Sequence, residues 1–323
     1  MTSTEQLAAA IRKGERAALA RGITLVESRR DADTAAADEL LQRLLPHTGN
    51  SVRIGVTGAP GVGKSTLLET LGLRRCAAGD RTAVLAVDPS SAVTGGSILG
   101  DKTRMTELSR HPNAFIRPSP GGDTLGGVAA RTREAMLLCE AAGYGVVLVE
   151  TIGTGQSEVA VHGMVDFFLL LLSPAAGDEL QGIKRGVMEL ADGVLVHKAD
   201  GDLAAAADRA AQQCLLAMRV LHAGEAPPPV LVGSSVTGRG LDDLWQAIER
   251  RLAARRADGS FAARRTRQAD EWLDAAVRER LLAAWLADPA TAAALAAARE
   301  RVARGELLPG AAARQLVQRH STP

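Results

Sequence analysis

Cysteine, aromatic residues and an excess of charge of either sign are all scarce in this chain of 323 residues. The three cysteines, Cys76, Cys139 and Cys214, lie far apart and form no CxxC pair, which excludes a disulfide framework and a zinc knuckle. Aromatic residues make up only 2 %, so base-stacking platforms are not expected. The 38 Lys and Arg against 37 Asp and Glu give a net charge of +1, which predicts no overall attraction to nucleic acid or to an anionic membrane.

Long hydrophobic runs are missing as well. The most apolar run, Phe167 to Leu172, is too short to span a bilayer. The N-terminal residues MTSTEQLAAAIRKGE carry charges within their apolar stretch, so they do not resemble a secretory signal. With few cysteines and no signal, the expected location is the cytoplasm, without a membrane or nucleic-acid partner.

Short apolar runs recur through the middle of the chain and predict the fold class. They are separated by helix-length segments and bounded by Gly, Pro, Asp and Ser: Val52–Thr57, Thr82–Val87, Gly145–Glu150, Phe167–Leu172, Gly193–His197 and Val230–Gly233. Runs that are apolar throughout suit strands buried on both faces. The pattern predicts an α/β fold with a mainly parallel sheet and helices on both of its faces.

Helical patterns flank this region on both sides. We expect a helical extension over 1–46, in which Ser3 or Thr4 caps the first helix and Asp31 or Asp33 opens the second, a central domain over 47–256, and a C-terminal helical arm over 257–323. In the arm, Trp272, Leu281 and Trp285 recur at helical spacing. The basic run Arg264-Arg265-x-Arg267 is expected to be a solvated helix start.

A phosphate-binding motif follows the first predicted strand. Gly58-Ala-Pro-Gly-Val-Gly63-Lys64-Ser65-Thr66 fits the P-loop pattern GxxxxGK followed by Ser or Thr, and a helix-compatible stretch comes next. Backbone N–H groups of such a loop surround phosphate oxygens. We expect Lys64 to reach the β- and γ-phosphates and Ser65 to supply a hydroxyl to Mg²⁺. The candidate nucleotide-binding residues in this motif are Gly58, Pro60, Gly61, Val62, Gly63, Lys64, Ser65 and Thr66.

Acidic residues end two of the predicted strands. Asp88 follows Thr82–Val87, and Glu150 ends the run that begins at Gly145. In open α/β sheets the carboxyl ends of the strands surround the ligand. Asp88 and Glu150 are therefore candidates for Mg²⁺ and for the attacking water, and Asp101 is a weaker third candidate.

A second motif indicates which base is bound. The run Val194–Val196 leads into His197-Lys198-Ala199-Asp200, which matches the guanine-reading pattern Asn-Lys-x-Asp except at its first position. A carboxylate at Asp200 accepts hydrogen bonds from both N1–H and the N2 amine of guanine, a donor pair that adenine lacks. The motif therefore favours GTP, and Ser234, Ser235 and Val236 suit a loop that closes over the base edge.

These motifs belong to an extensive resemblance over about Ile11 to Trp245. The matching stretches are Ala20–Ser28, the P-loop, Val87–Ser91, Gly95–Met105, Arg117-Pro-Ser-Pro, Glu150–Glu158 and Gly177–Lys184. The chain resembles the MeaB/ArgK-type GTPases, which are chaperones of adenosylcobalamin-dependent acyl-CoA mutases. The last stretch is the most specific, because ordinary small GTPases lack it.

The resemblance implies further roles. It places Asp88 and Asp101 near the metal and gives Glu150 with Gly153 the position of the second switch, where Gly153 senses the γ-phosphate. It assigns Asp178, Gln181 and Lys184 to an additional switch loop that contacts the mutase. His197 stands where the family has Asn, and Ser173-Pro-Ala-Ala-Gly177 replaces Pro-Gly-Ala-Gly.

The function that the resemblance implies is a slow GTPase stimulated by its mutase. Its cofactors are GTP or GDP and Mg²⁺, whereas adenosylcobalamin belongs to the client enzyme. The C-terminal arm resembles the family's dimerisation arm, which implies a homodimer. The client stays open between methylmalonyl-CoA, isobutyryl-CoA and 2-hydroxyisobutyryl-CoA mutases. A P-loop kinase or ATPase acting on a small molecule or protein is the alternative, and a nickel-inserting GTPase is disfavoured because no His-rich tract is present.

Overall fold

A seven-stranded parallel sheet lies at the centre of the fold. The computed structural model describes residues 3–28, 30–87, 105–118, 125–151, 157–174, 185–223 and 226–320. The strands are β1 (Val52–Gly58), β2 (Thr82–Val87), β3 (Ala114–Arg117), β4 (Val146–Thr151), β5 (Phe167–Leu172), β6 (Gly193–Val196) and β7 (Val230–Val232). Their order is β3-β2-β4-β1-β5-β6-β7, and every neighbouring pair is parallel. The predicted α/β fold class is confirmed.

Helices connect and extend these strands. In the described part of the chain they are α1 (Thr4–Arg12), α2 (Arg16–Val26), α3 (Asp31–Leu44), α4 (Lys64–Ala77), α5 (Thr106–Arg110), α6 (Leu125–Ala141), α7 (Ser157–His162), α8 (Arg185–Leu190), α9 (Ala204–Leu221), α10 (Leu241–Ala257), α11 (Ser260–Ala287), α12 (Pro289–Ala303) and α13 (Pro309–His320). The chain forms two compact units, Met1–Gln268 and Ala269–Pro323.

Both faces of the sheet are covered, as the uniformly apolar strands predict. In β4, Val147 and Val149 face a core shared with α1–α3 and α6, whereas Val146 and Leu148 face a second core shared with α4 and α10. Successive side chains of a strand point to opposite faces, so a strand between two cores needs apolar residues at every position. A third core lies between β5, β6 and α9.

The N-terminal extension forms three helices rather than the two expected. Ser3 caps α1 in a capping box with Gln6. Gly14, with a φ of +77°, interrupts the helical conformation between α1 and α2. Asp31 then begins the third helix and not the second. Ile11, Ile23 and Leu40 are fully buried in one core with residues of α6, so the extension is part of the first unit.

One strand, β3, has no counterpart among the predicted runs. It comprises only Ala114–Arg117 and lies at the edge of the sheet beside β2. Arg117 pairs with Glu27, the residue that follows α2, and this pair ties the N-terminal helices to the edge strand. A four-residue strand that ends in a charged residue has too little apolar pattern to be recognised from the sequence.

The amino ends of β1, β5 and β6 are closed by ion pairs, and here the expectation for the basic run was wrong. Arg265 donates to both carboxylate oxygens of Asp166, at 2.9 and 2.8 Å, and its side chain is only 16 % exposed. Arg264 lies 3.4 Å from Asp192. Arg267 alone of the three is exposed. The guanidinium groups turn inward because Asp166 and Asp192 are buried and need counter-charges.

A third buried carboxylate, Glu140 of α6, lies at the same amino ends of the strands. It receives two hydrogen bonds from Arg53, at 2.7 and 2.9 Å, and others from the Ser51 hydroxyl and the Gly49 N–H. Burial raises the pKa of Glu140, but the bonds and charge of Arg53 and the Ser51 hydroxyl outweigh it, so the pKa lies below its ordinary value. Glu140 therefore remains a charged anchor between α6 and β1.

The second unit consists of the end of α11 with α12 and α13. Asp288 caps α12 through the N–H groups of Ala290 and Thr291, and Pro289 is the first helical residue. Among the described residues no single helix is long and apolar enough to cross a bilayer. Only α11 and α12 taken together meet that requirement, across a bend of 87°.

We predict that Arg265→Met lowers the free energy of unfolding by about 3–5 kcal/mol, because it leaves the buried Asp166 carboxylate without its main partner. The measurement is urea denaturation followed by circular dichroism. Arg304→Met is the control, since the pair of Arg304 with Glu306 is exposed and is worth under about 1 kcal/mol. Equal effects of the two substitutions would contradict the importance assigned to the buried pair.

Candidate active site

Four strands deliver the candidate residues to one edge of the sheet. The P-loop follows β1, Glu150 lies at the end of β4, His197 to Asp200 follow β6, and Ser234 follows β7. Because all strands are parallel, their carboxyl ends lie on the same side. β1 lies between β4 and β5, at the point where the strand order reverses. Ligands of open α/β sheets bind at such a point.

The P-loop depends on glycine at two positions with close neighbours. Gly63 immediately precedes α4 with a φ of +100°, and a Cβ there would lie 2.7 Å from the ring of His197. At Gly58 a Cβ would lie 2.5 Å from the carbonyl oxygen of Leu171. A side chain at either position would push the loop away from its neighbours, so the sequence motif and the local geometry agree.

Lys64 begins α4 and turns back over the loop. Its Nζ donates to the carbonyl oxygens of Gly58, at 2.8 Å, and Ala59, at 3.3 Å, and the residue is buried. Burial lowers the pKa of Lys64, whereas the charges of Glu150 and Glu158 oppose that shift. Glu158 of α7 is a nearby charge to which sequence analysis gave no role, although it lies inside one of the matching stretches.

Ser65 and Glu150 meet at the expected metal position. The Ser65 hydroxyl donates to Glu150 Oε1 at 2.9 Å, and Glu150 is only 4 % exposed. Glu150 is held in register with Val56 of β1, two residues before Gly58. A hydroxyl and a carboxylate are hard oxygen donors of the kind that Mg²⁺ prefers, so these two side chains fit a magnesium ion.

Lys198 and Asp200 are placed on opposite sides of the loop after β6. Lys198 has a φ of +60°, and its Nζ donates to the carbonyl oxygen of Gly61 at 2.7 Å. Asp200 accepts a hydrogen bond from the buried Ser234 hydroxyl. A positive φ in a residue with a long side chain is uncommon and clusters at functional sites. It aims Lys198 at the P-loop while Asp200 turns to the base loop.

The base loop, which we define as residues 234–240, is held by its own hydrogen bonds. Ser234 Oγ also accepts from the N–H groups of Val236 and Thr237, while the Val236 side chain is 82 % exposed. Arg74 of α4 donates to the carbonyl oxygen of Gly238 at 3.4 Å. Arg74 is not among the residues predicted from the sequence, because an arginine in a helix gives no signal of a distant partner.

His197 connects the two loops directly. Its Nδ1 lies 2.9 Å from the carbonyl oxygen of Val62, and its Nε2 lies 2.8 Å from the Ser235 hydroxyl. The residue is only 2 % exposed. His197, which stands where the family has Asn, therefore joins the P-loop to the base loop.

The other predicted site residues fall into two groups. Pro60 and Thr66 are exposed on the P-loop and on the first turn of α4. Six candidates lie outside the described residues: Asp88, Asp101, Gly153, Asp178, Gln181 and Lys184. The structure thus brings together Lys64, Ser65, Glu150, Lys198 and Asp200 at one edge of the sheet.

A parallel sheet with a P-loop at its reversal point and a carboxylate ending the neighbouring strand defines a P-loop nucleoside triphosphatase. The comparisons with known proteins narrow this class. A family model described as methylmalonyl-CoA mutase-associated GTPase MeaB matches residues 19–290. The chain belongs to this family, and it is a GTPase that binds guanine nucleotide.

Relatives in bacteria and animals support this membership. The GTPase ArgK of Escherichia coli is 49 % identical over 274 residues, which are 84 % of this chain and 83 % of that protein. The mitochondrial methylmalonic aciduria type A homolog of Mus musculus is 44 % identical over 95 % of this chain and 77 % of its own length. A solved structure described as an LAO/AO transport system kinase has a TM-score of 0.78 and 38 % identity, and it covers 99 % of this chain and 98 % of that chain.

We predict that Asp200→Asn weakens GTP binding by about 100-fold and creates binding of xanthosine triphosphate. The amide NH₂ group would face the N2 amine of guanine donor to donor, whereas xanthine offers a carbonyl oxygen there. Fluorescent-nucleotide titration measures both affinities. Asp202→Asn, at an exposed position two residues on, is the matched control and should bind GTP like the wild type. Unchanged GTP affinity in Asp200→Asn would remove Asp200 from the base site.

Proposed function

We propose that this GTPase is a nucleotide-controlled chaperone of an adenosylcobalamin-dependent acyl-CoA mutase. The observation that carries the proposal is the match to the methylmalonyl-CoA mutase-associated GTPase family over residues 19–290. The similarity to the mouse methylmalonic aciduria type A homolog supports the same client class. The nucleotide state gates loading of adenosylcobalamin onto the mutase, its protection there, or removal of damaged cofactor. Methylmalonyl-CoA mutase is the first client to test.

The residues that the structure describes account for nucleotide and metal binding. Backbone N–H groups of the P-loop and Lys64 hold the phosphates, and Asp200, oriented by Ser234, selects guanine. Ser65 and Glu150 hold Mg²⁺, together with Asp88 and Asp101. When bound, Mg²⁺ neutralises charge on the β- and γ-phosphates. Burial lowers the pKa of Lys64, and the neighbouring carboxylate of Glu150 opposes that shift.

The remaining candidate residues account for the response to GTP hydrolysis. Gly153 senses the γ-phosphate, and Asp178, Gln181 and Lys184 form the loop that contacts the mutase. GTP orders such loops through contacts to the γ-phosphate and Mg²⁺, and hydrolysis releases them. Turnover is slow in isolation because the client completes the arrangement that positions the attacking water. The GTPase itself acts in the cytoplasm, without a membrane partner.

A kinase is the second candidate, because the similar solved structure is described as one. Hydrogen bonding at the base distinguishes the two functions. Asp200 held by Ser234 favours guanine, whereas a kinase that uses ATP has no need of this carboxylate. A kinase would also transfer label to an acceptor rather than release phosphate.

We predict that a purified cobalamin mutase raises phosphate release from GTP by at least about tenfold and leaves ATP turnover at background. The matched control is Asp200→Asn with xanthosine triphosphate, which restores turnover and its stimulation only if the nucleotide acts at this site. Stimulation that is absent with all three candidate mutases would contradict the chaperone function. Label from ATP on an acceptor would favour the kinase.

A homodimer through α11 completes the proposal. Leu273, Val277 and Leu281 recur every four residues along the part of α11 in the second unit, and they are 63 %, 47 % and 65 % exposed. Side chains four apart lie on one face of a helix. A row of exposed apolar side chains of this kind is typical of protein–protein contacts, and a second copy of the same helix provides a self-complementary partner.

We predict that Leu273→Glu/Leu281→Glu converts the dimer to monomer, because two carboxylates would be buried at the contact. Light scattering coupled to size-exclusion chromatography gives the mass. Ala283→Glu is the control, since Ala283 is exposed and lies two residues from Leu281, on another face of the helix. A wild-type chain that is monomeric at micromolar concentration would contradict the dimer.

A further inference from the structure

The hydrogen bonds of His197 determine which of its nitrogens carries the proton. The carbonyl oxygen of Val62, 2.9 Å from Nδ1, can only accept, so Nδ1 must donate. In the neutral ring Nε2 is then an acceptor, and the Ser235 hydroxyl at 2.8 Å donates to it. Both polar atoms of the ring are satisfied in this tautomer, and both partners belong to loops that surround the nucleotide.

Steric contact holds the ring in this position. The imidazole lies against Gly63, where a Cβ would come within 2.7 Å of both Cε1 and Nδ1. His197 is 2 % exposed, so the ring cannot turn away to find water. A change in its hydrogen bonding is therefore transmitted to the P-loop on one side and to the base loop on the other.

The surroundings of the ring favour its neutral form. The P-loop contributes the uncharged Val62 and Gly63, the base loop contributes the uncharged Ser235, and the charged groups facing the ring are Lys198 and Asp200. Burial lowers the pKa of His197 and Lys198 adds to this effect, while the bond to Val62 and the charge of Asp200 oppose it. The net pKa lies below its ordinary value.

We propose that His197 is a positioning residue for nucleotide retention, whose neutral Nδ1–H tautomer ties the P-loop to the base loop and makes nucleotide release dependent on protonation of this ring. An asparagine carboxamide offers the same pair of one N–H donor and one oxygen acceptor, but it does not titrate. Protonation of His197 turns Nε2 into a donor, so the bond with the Ser235 hydroxyl must reverse and the hydroxyl proton must find another acceptor. A positive charge also appears in a buried position beside Lys198, which costs free energy.

The test measures release of fluorescent GDP, without a mutase, so its outcome is independent of the proposed client. We expect His197→Phe, which fills the space without either polar atom, to release GDP about tenfold faster or more, because both hydrogen bonds of the ring are lost. His197→Asn should stay within about threefold of the wild type at neutral pH, since it restores the donor and the acceptor. His162→Asn is the control for loss of a histidine elsewhere, because His162 is half-buried and precedes β5 at the opposite edge of the sheet.

The pH profile separates this role from simple space filling. Release from the wild type should accelerate as the pH falls below about 6.5, the ordinary histidine pKa, whereas release from His197→Asn should not. In Ser235→Ala, adding His197→Phe should raise the rate by less than it does in the wild-type background, because the two residues share one bond. Parallel pH profiles of wild type and His197→Asn, or wild-type release by His197→Phe, would overturn the proposal. If His197→Phe does not fold, the profile of His197→Asn decides.

Discussion

Parallel pairing is the constraint on which the rest of this structure depends. Seven parallel strands bring every carboxyl end to one edge of the sheet, so residues that are distant in sequence converge there: Gly58, Glu150, Lys198 and Ser234. The crossover helices that parallel pairing requires cover both faces, and the strands are therefore apolar at nearly every position. Polar and charged side chains are therefore concentrated where the strands begin and where they end, which we call the amino edge and the carboxyl edge of the sheet.

The carboxyl edge and the amino edge carry opposite arrangements of charge. At the carboxyl edge, backbone N–H groups and Lys64 form a positive site for an anionic ligand. At the amino edge, the buried carboxylates of Glu140, Asp166 and Asp192 lie next to strand starts and are neutralised by arginines. Removing either partner would leave a buried charge uncompensated. The arginines of α10 and α11 therefore fix where these helices leave the sheet, far from the nucleotide.

The sequence predicts this molecule best where a pattern is local. The P-loop and the strands Thr82–Val87 and Phe167–Leu172 follow from short-range rules, and the structure places them as predicted. Contacts between segments that are distant in the sequence could not be predicted in this way. Nothing in Arg264-Arg265-x-Arg267 indicates that two of these side chains turn inward, because their partners Asp192 and Asp166 lie far earlier in the sequence. Arg74 was not predicted for the same reason. The outermost strand β3 was not predicted because its four residues form no recognisable pattern.

Three side chains join the phosphate half of the site to the base half. Lys198 reaches Gly61, His197 reaches Val62, and Arg74 of the P-loop helix reaches Gly238. A nucleotide bridges the same two halves, so loops already tied together lose less entropy when it binds. Binding at the base and at the phosphates is therefore not independent, and any weakening of one connection lowers the affinity for the whole nucleotide. Of the three side chains, imidazole is the type that titrates near neutral pH. Replacing a carboxamide by this ring keeps the connection between the loops but adds the proton as a ligand of the site.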